Sequence, residues 1–202
     1  MLNEAASSLR AGDDRQTVLL DIALRVLAQR GAVGLTHRGV DAAADLPEGS
    51  TTYYFPRKAA LVAAAMEHCA RRLENDDESR RERFASLFAE HDRDTAMELA
   101  ATDLRDCLIE DRDLLLARIE LSLLAARDTG LAAQGRRLAD AARRPVAAYL
   151  DLLADALGTT STHAERDLCV GLIDGLMLAN ASGQAAPPTA EQIAAACKSI
   201  VS

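Results

Sequence analysis

Residues 35–58 read LTHRGVDAAADLPEGSTTYYFPRK, and this stretch predicts two short helices joined by a tight turn. Thr36 suits the N-cap of a first helix from about His37 to Ala44, because its hydroxyl can accept a hydrogen bond from a free backbone N–H. Asp45-Leu46-Pro47 ends that helix, since the residue before a proline is disfavoured in the α region and aspartate tolerates a left-handed turn position. Pro47 then suits the first turn of a second helix, from about Glu48 to Tyr54.

The second predicted helix has an unusual composition for a helix that packs in a core. It has modest or poor helix propensity and no large apolar stripe, but it offers small hydroxyl side chains and two phenols for close polar contact with another surface. These residues are Gly49, Ser50, Thr51, Thr52, Tyr53 and Tyr54, with Arg57 and Lys58 following. A helix, a tight turn and a small polar helix form the helix-turn-helix arrangement, which places the second helix in the major groove of DNA.

The run from Gly49 to Phe55, followed by Arg57-Lys58 and Leu61, resembles the N-terminal domain of the TetR (tetracycline-repressor-like) family of bacterial transcription regulators. The resemblance covers roughly residues 15–73. Two residues depart from the family pattern. Asp45 stands where the family usually has glycine, and Glu48 stands where a basic or neutral residue is common. Glu48 would repel phosphate, although it could accept a hydrogen bond from the amino group of a cytosine.

The resemblance implies a role in DNA binding for each polar residue of this stretch. Phosphates are expected to be held by Thr36, Arg38, Ser50, Tyr53, Tyr54 and Lys58, while base edges are expected to face Glu48, Gly49, Thr51 and Thr52. Tyr53 or Tyr54 is alternatively a packing residue, and Phe55 is expected to be one. The alternative for the whole stretch is a helical hairpin with a polar face, since short helix-turn-helix patterns recur in ordinary α proteins.

Composition favours a helical protein without a membrane span. Of the 202 residues, 49% are hydrophobic, while aromatic residues make up 3% and tryptophan is absent, which favours close-packed helices over sheets. No apolar run approaches the roughly 18 residues of a membrane-spanning helix, and the N-terminus MLNEAASSLR lacks a signal-peptide core. We therefore expect a cytoplasmic, all-α protein.

The net charge of −8 comes entirely from the second part of the chain. Residues 1–75 contain nine Lys and Arg against nine Asp and Glu, whereas residues 76–202 contain fourteen against twenty-two, giving 14 − 22 = −8. Attraction to phosphates therefore has to come from local placement of basic residues, and modest non-specific DNA affinity is expected. The basic residues expected to attract phosphates are Arg38, Arg57, Lys58 and Arg15.

The expected organisation is an N-terminal head of three helices and a C-terminal helical body. A tail is expected over residues 1–12, a helix-turn-helix DNA-binding domain over 13–56, a connecting helix over 57–74 and a ligand-binding and dimerisation domain over 75–202. The first helix is capped by Asp13 or Asp14 and ends near Gly31. Dense charge over residues 75–83 marks the boundary, and a short helix over 84–91 follows it. Further helices are expected to start at capping boxes headed by Thr95, Thr162 and Thr189.

A two-fold partner is expected, because a helix-turn-helix head that binds a palindrome needs one. Gly171 and Gly175 lie four residues apart on one helix face, which permits close approach of another helix. The resemblance implies that the last two long helices of each subunit form a four-helix interface. The candidate interface residues are Leu150, Leu168, Gly171, Leu172, Gly175 and Leu176. Alternatively, the glycines pack only within one chain.

Polar residues within otherwise apolar helices indicate either internal pairing or the lining of a pocket. The candidate pocket residues are Asp103, Cys107, Arg118, Glu120 and Ser122. An internal ion pair or surface exposure is the alternative for each of them. The resemblance implies a small-molecule effector in the helical body that changes the spacing of the two DNA-binding heads.

No pattern of residues supports catalysis, a cofactor or a metal site. The four histidines are scattered, and no Gly-rich phosphate loop, GxSxG or HExxH sequence occurs. Cys69, Cys107, Cys169 and Cys197 form no CxxC pair, so we expect reduced packing thiols, with a redox-sensing pair left open. The main hypothesis is a ligand-responsive repressor that binds a palindromic operator as a homodimer. The alternatives are a helical ligand-binding or scaffold dimer without sequence-specific DNA binding and a small helical enzyme.

Overall fold

The computed structural model describes residues 11–110, 112–158 and 160–200, and these residues contain helices but no β-strand. The predicted all-α fold is therefore confirmed. Residues 1–10 of the predicted tail lie outside the described residues. The helices are α1 (Ala11–Gly34), α2 (His37–Ala43), α3 (Ser50–Tyr54), α4 (Lys58–Glu90), α5 (Arg93–Glu110), α6 (Arg112–Arg127), α7 (Ala132–Leu157), α8 (His163–Ala181) and α9 (Ala190–Ile200), with a 3-10 turn at Thr129–Leu131.

The first helix bends near its end. α1 begins at Ala11, earlier than the expected start at Asp13 or Asp14, and Gly31 within it has a φ of 64° and a ψ of −172°. This backbone conformation interrupts the helix where the sequence predicts its end. The carboxylate of Glu120 accepts a hydrogen bond from the backbone N–H of Ala32 at 3.0 Å, so a residue of α6 holds the chain just past the bend.

The two helices of the predicted helix-turn-helix form with small shifts in their ends. Thr36 caps α2 as predicted, because its Oγ1 accepts the N–H of Gly39 at 2.9 Å. Asp45 has a φ of 54° and so occupies the left-handed turn position expected for it. The expected start of α3 at Glu48 is wrong, because Gly49 has a φ of 98° and the helix begins at Ser50.

A single helix of 33 residues, α4, replaces three predicted segments. The separate helix expected at 84–91 is wrong, because α4 continues through residues 75–83 to Glu90. The domain boundary expected at residues 75–83 stays a prediction. Arginine and glutamate have good helix propensity, and this charged stretch contains neither glycine nor proline to interrupt the backbone hydrogen bonds. The high charge density here therefore lies within a continuous helix.

Capping residues explain where the later helices begin. The predicted boxes at Thr162 and Thr189 are confirmed, since each threonine exchanges two hydrogen bonds with the residue three positions later. At α5 the prediction is wrong, because Asp92 is the cap and accepts from both the N–H and the hydroxyl of Thr95. Pro145 lies inside α7, which continues to Leu157.

The described residues group into two compact units. The first contains residues 11–70 with 116–138, and its fully buried side chains include Leu19, Leu27, Leu35, Leu61 and Met66. The second contains residues 71–115 and 139–200 as far as they are described, and its core includes Leu104, Tyr149, Leu150 and Ile173. Among the described residues, none of the helices is both long and apolar enough to cross a membrane.

Candidate nucleic-acid interface

A buried carboxylate on α2 holds the start of α3. Asp41 is 3% exposed, and its Oδ1 accepts the backbone N–H of Thr51 at 2.7 Å and the Thr51 hydroxyl at 2.5 Å. Its Oδ2 accepts the N–H of Gly49 at 2.8 Å. Gly49 is the N-cap of α3 and has no side chain to satisfy these free N–H groups. Asp41 therefore supplies the cap from the preceding helix.

The hydrogen bonds decide the ionisation of Asp41. Burial alone would raise its pKa, but the hydroxyl of Thr51 and the N–H groups of Thr51 and Gly49 donate to the carboxylate, and the net pKa is lowered. The group is consequently an anion at neutral pH, at the N-terminal end of α3, where the backbone dipoles favour negative charge.

The burial of Thr51 corrects its predicted role. Thr51 is 0% exposed and its hydroxyl is bound to Asp41, so the expectation that it faces base edges is wrong. Sequence reasoning missed Asp41 as well, because an aspartate between Val40 and two alanines has the pattern of an exposed helical residue. The sequence feature that could have indicated Asp41 is Gly49 at the start of α3. Glycine has no side chain to accept hydrogen bonds from the first N–H groups of the helix, so another residue has to accept them.

A second contact joins the other ends of the two short helices. His37, the first residue of α2, lies with its Nε2 2.6 Å from the carbonyl oxygen of Phe55, and the ring nitrogen donates this hydrogen bond. Phe55 is 3% exposed and packs in the core, as predicted. With Asp41 at one end and His37 at the other, α2 fixes the position of α3 at both of its termini.

The outer surface of this pair of helices is polar. Thr36, Arg38, Thr52 and Lys58 are exposed, and Tyr53 is 81% exposed with its ring edge-on to the half-buried ring of Tyr54, at 5.0 Å between centroids.

Gly49 is also exposed, and a side chain there would meet nothing within 4 Å, so its left-handed backbone is what requires glycine. Ser50 is half-buried and donates its hydroxyl to the carbonyl of Pro47 at 2.7 Å.

One ion pair lies on this surface. Arg38 Nε is 3.0 Å from Glu48 Oε1, and their side chains are 82% and 70% exposed. Glu48 lies in the turn before α3 and so does not project from the second helix as expected. Its carboxylate neutralises a cation that is expected to contact phosphate. An exposed pair of this kind contributes little to stability, so the two side chains can separate easily.

Three of the candidate pocket residues have polar partners from other helices or from segments distant in sequence. Asp103 accepts from Arg83 at 2.8 Å, and Cys107 contacts the guanidinium of the buried Arg80. Glu120 binds the backbone of Ala32. These contacts match the alternative of internal pairing.

The remaining two candidates lie on α6. Ser122 is exposed and donates its hydroxyl to the carbonyl of Arg118 at 2.8 Å, which matches the alternative of surface exposure, and its assignment to a pocket stays a prediction. Arg118 is half-buried. The described residues contain no group of three potential metal ligands.

Grooves lie between the helices of the second unit. One, of about 620 Å³, runs between α5, α7 and α9, and its lining includes Met97, Ala101, Tyr149, Leu153, Ala194 and Lys198. Another, of about 660 Å³, lies between α4 and α5, and Asp103 is the one candidate pocket residue that lines it. The first groove has an apolar floor and charged residues at its edge, which is the usual character of a small-molecule site.

One face of α8 is apolar and uncovered within the chain. Leu168, Leu172 and Leu178 are 62%, 42% and 43% exposed. Gly171 and Gly175 lie on the same helix, and a side chain at either would meet nothing within 4 Å. Leu176 is half-buried. The assignment of Leu150 to an interface is wrong, because its side chain is 0% exposed and packs in the core of the same chain.

Known proteins are similar to this chain in sequence and fold. The family model described as the tetracyclin repressor-like C-terminal domain matches residues 91–202, more than half of the chain. The multidrug binding protein EbrR complexed with imidazole is 26% identical, with a TM-score of 0.63 over 95% of this chain and 97% of that one. EbrR complexed with ethidium is 27% identical, with a TM-score of 0.59 over 93% and 99%.

A member of the TetR family from Streptomyces coelicolor A3 is 28% identical, with a TM-score of 0.62 over 93% of this chain and 98% of that one. No curated protein matches the sequence. The structural matches extend over nearly the whole chain, including the helix-turn-helix. The chain therefore belongs to the tetracycline-repressor-like (TetR) family of transcriptional regulators.

Proposed function

We propose that this protein is a cytoplasmic repressor that binds a palindromic operator as a homodimer and is released from DNA by a small-molecule effector. The observation that carries the proposal is the capping of α3 by Asp41. Asp41 holds the five-residue helix α3, whose N-cap is Gly49, against α2. Thr52 and Tyr53 remain exposed on the outer side of α3. A fixed backbone with exposed polar side chains is what reading of base edges requires.

The proposed DNA contacts are divided by the chemistry of each group. Thr52 faces base edges, and the backbone of Gly49 lies close enough to the surface to approach the groove. Phosphates are held by Thr36, Ser50, Tyr53, Tyr54 and Lys58, together with Arg38 once it leaves Glu48. Because residues 1–75 are electrically neutral overall, these local groups supply the attraction to DNA.

The exposed face of α8 supports the homodimer. Leu168, Leu172 and Leu178 with the two glycines form a surface on which a second copy of α8 can lie closely. A two-fold pair of heads would then bind two half-sites about one helical turn of DNA apart. The effector is proposed to bind in the body, and the groove between α5, α7 and α9 is the candidate place. EbrR, a relative by structure, is a multidrug binding protein.

The proposal is tested by mixing the purified protein with fragmented DNA of its own source organism near physiological salt and sequencing the bound fraction. We expect an enriched palindrome. The chain offers a matched pair of variants, since Lys58 and Lys198 are its two lysines and both are exposed. With no effector present, Lys58→Ala should weaken binding to all sequences and reduce the salt slope by about 0.9. Lys198→Ala, which changes the candidate effector groove and not the helix-turn-helix, should leave both unchanged under the same condition.

The result that would overturn the DNA-binding role is a folded, dimeric protein that enriches no sequence and whose affinity for DNA is equal in both lysine variants. That outcome favours the alternative of a helical ligand-binding or scaffold dimer. An enriched sequence without two-fold symmetry would reject the homodimeric palindrome while retaining DNA binding.

A further inference from the structure

Two cysteines from different helices meet in the core of the second unit. The Sγ atoms of Cys169 on α8 and Cys197 on α9 lie 3.0 Å apart, and both side chains are 0% exposed. Both thiols are free in this structure. An S–S bond is about 2.05 Å long, so the sulfurs need to approach by only about 1 Å to form one.

The two thiols differ in acidity because one donates a hydrogen bond to the other. The hydrogen bond from Cys197 lowers the pKa of Cys169, while burial acts in the opposite direction. The pKa of Cys197 is raised, first by its role as donor and then by burial. Once one of the two sulfurs is oxidised, the other lies close enough to attack it.

Cys107 provides a contrast within the same unit. It is more exposed than either member of the pair, and its contact is the guanidinium of Arg80. Burial raises the pKa of its thiol despite that neighbouring cation. If exposure alone governed oxidation, Cys107 would react before Cys169.

We propose that Cys169 and Cys197 are a site of reversible oxidation, at which a hydroperoxide converts the pair into a disulfide that ties α9 to α8. Neither sulfur has exposed surface, so the reaction proceeds through local opening of the 11-residue helix α9. This modification is independent of the proposed DNA-binding role and adds a second input to the protein.

The reaction balances with one hydroperoxide. The thiolate of Cys169 attacks one oxygen of hydrogen peroxide, the O–O bond breaks, and the sulfur becomes a sulfenic acid while the other oxygen leaves as water with the released proton. The sulfur of Cys197 then attacks the Cys169 sulfur, and the hydroxyl group leaves with the Cys197 proton as a second water. Two thiols lose two electrons in total, and the peroxide gains them. A cytosolic dithiol reductant reverses the reaction.

The crosslink affects a helix with two packed faces. α9 packs against α5 and α8, with Ile193 and Cys197 buried in the core and Ala194 and Lys198 lining the groove of about 620 Å³. A bond from Cys197 to α8 fixes this wall of the groove. Oxidation should therefore restrict any movement of α9 that opens the groove.

The test treats the full chain with hydrogen peroxide, blocks the remaining thiols by alkylation and maps the crosslinks by mass spectrometry of the unreduced digest. Wild type should yield one linked peptide pair that contains Cys169 and Cys197, and its intact mass should fall by two hydrogen atoms. Cys169→Ser and Cys197→Ser should lose this product, and Cys107→Ser should retain it. Oxidised wild type should melt roughly 5 °C or more above its reduced form, and a dithiol should abolish the shift.

Two results would overturn the proposal. One is oxidation of Cys107 in wild type while Cys169 and Cys197 stay reduced. The two reduced thiols would then react with the alkylating agent only after the chain is unfolded. The other is a linked pair with no change in melting temperature between the oxidised and reduced forms, because a crosslink between packed helices must restrict the unfolded chain. Serine is nearly the same size as cysteine, and the melting temperatures of the reduced variants check that they fold.

Discussion

Asp41 and Thr51 share one buried hydrogen-bonded contact in which the aspartate accepts both the hydroxyl and the backbone N–H of the threonine, at 2.5 and 2.7 Å. The two residues are ten positions apart and lie on successive helices. Their contact determines where α3 starts and which of its side chains point outward. The pair therefore contributes both to the stability of the helix-turn-helix and to the arrangement of the side chains on its surface.

Removing the acceptor should destabilise the head. Asp41→Ala leaves the N–H groups of Gly49 and Thr51 without a partner, so we expect a loss of about 2–3 kcal/mol of unfolding free energy in urea titrations. Asp155→Ala, which changes an exposed aspartate on α7, should cost less than about 0.5 kcal/mol. Equal midpoints for the two variants would contradict the role given to Asp41.

The same carboxylate should make stability depend on pH in a defined range. The pKa of Asp41 is lowered in the folded state, so its stabilisation is complete above the unfolded pKa of about 3.9 and disappears as the pH falls through the folded value. The difference in unfolding free energy between wild type and Asp41→Asn should stay constant from about pH 7 to 5 and shrink below about pH 4. A difference that grew on acidification would reject this assignment.

Thr51 and Thr52 are adjacent threonines that should respond oppositely to the same substitution. Thr51→Val removes a buried donor to Asp41 and should cost about 1–2 kcal/mol of stability. Thr52→Val changes an exposed residue, so stability should stay within about 0.5 kcal/mol while the preferred DNA sequence changes. Denaturation curves and sequencing of bound DNA fragments separate the two effects, and a swapped pattern would mean that α3 is rotated.

Glu48 should limit DNA affinity. Glu48→Gln removes an anion 3.0 Å from Arg38 and frees that guanidinium for phosphate. We expect tighter binding to all DNA sequences and a salt slope that becomes steeper by about 0.9, measured by titration at several salt concentrations. Arg38→Gln in the Glu48→Gln background should restore the original slope. An unchanged slope in the single variant would show that Arg38 does not contact phosphate.

The face of α8 should govern the oligomeric state. Leu172 and Leu123 are 42% and 43% exposed on different helices, and this makes them a matched pair. Leu172→Glu places a charge on the proposed contact surface and should raise the dimer dissociation constant at least about tenfold, as measured by sedimentation. Leu123→Glu should leave it unchanged. The same dissociation constant in both variants would move the interface elsewhere.

Sequence patterns predicted the helix-turn-helix because its signals are local. A threonine cap, a turn that contains proline and a run of small polar residues act within a few positions, and the structure has each of them near the expected place. The exact start of α3 was missed because it depends on Asp41, which lies eight residues before Gly49. A single sequence does not reveal which carboxylate turns inward.

The candidate pocket was harder to predict for the same physical reason. Asp103 and Glu120 are polar residues among apolar neighbours, and such residues are either paired or facing a cavity. The structure gives Asp103 an arginine from α4 and gives Glu120 a backbone N–H of α1, and both partners are distant in sequence. Helical periodicity predicts which side of a helix is apolar, but it carries no information about which polar side chains from different helices meet.

Because a residue of α2 caps α3, the exposed side chains of α3 can change without loss of the cap. A helix of five residues is too short to be stable alone, so its shape is set by Asp41, His37 and the left-handed Gly49. Residues 52 and 53 take no part in that support and can be exchanged without refolding the domain. On the proposed assignment, a change of preferred DNA sequence then requires a substitution at Thr52 and leaves the residues that support α3 unchanged.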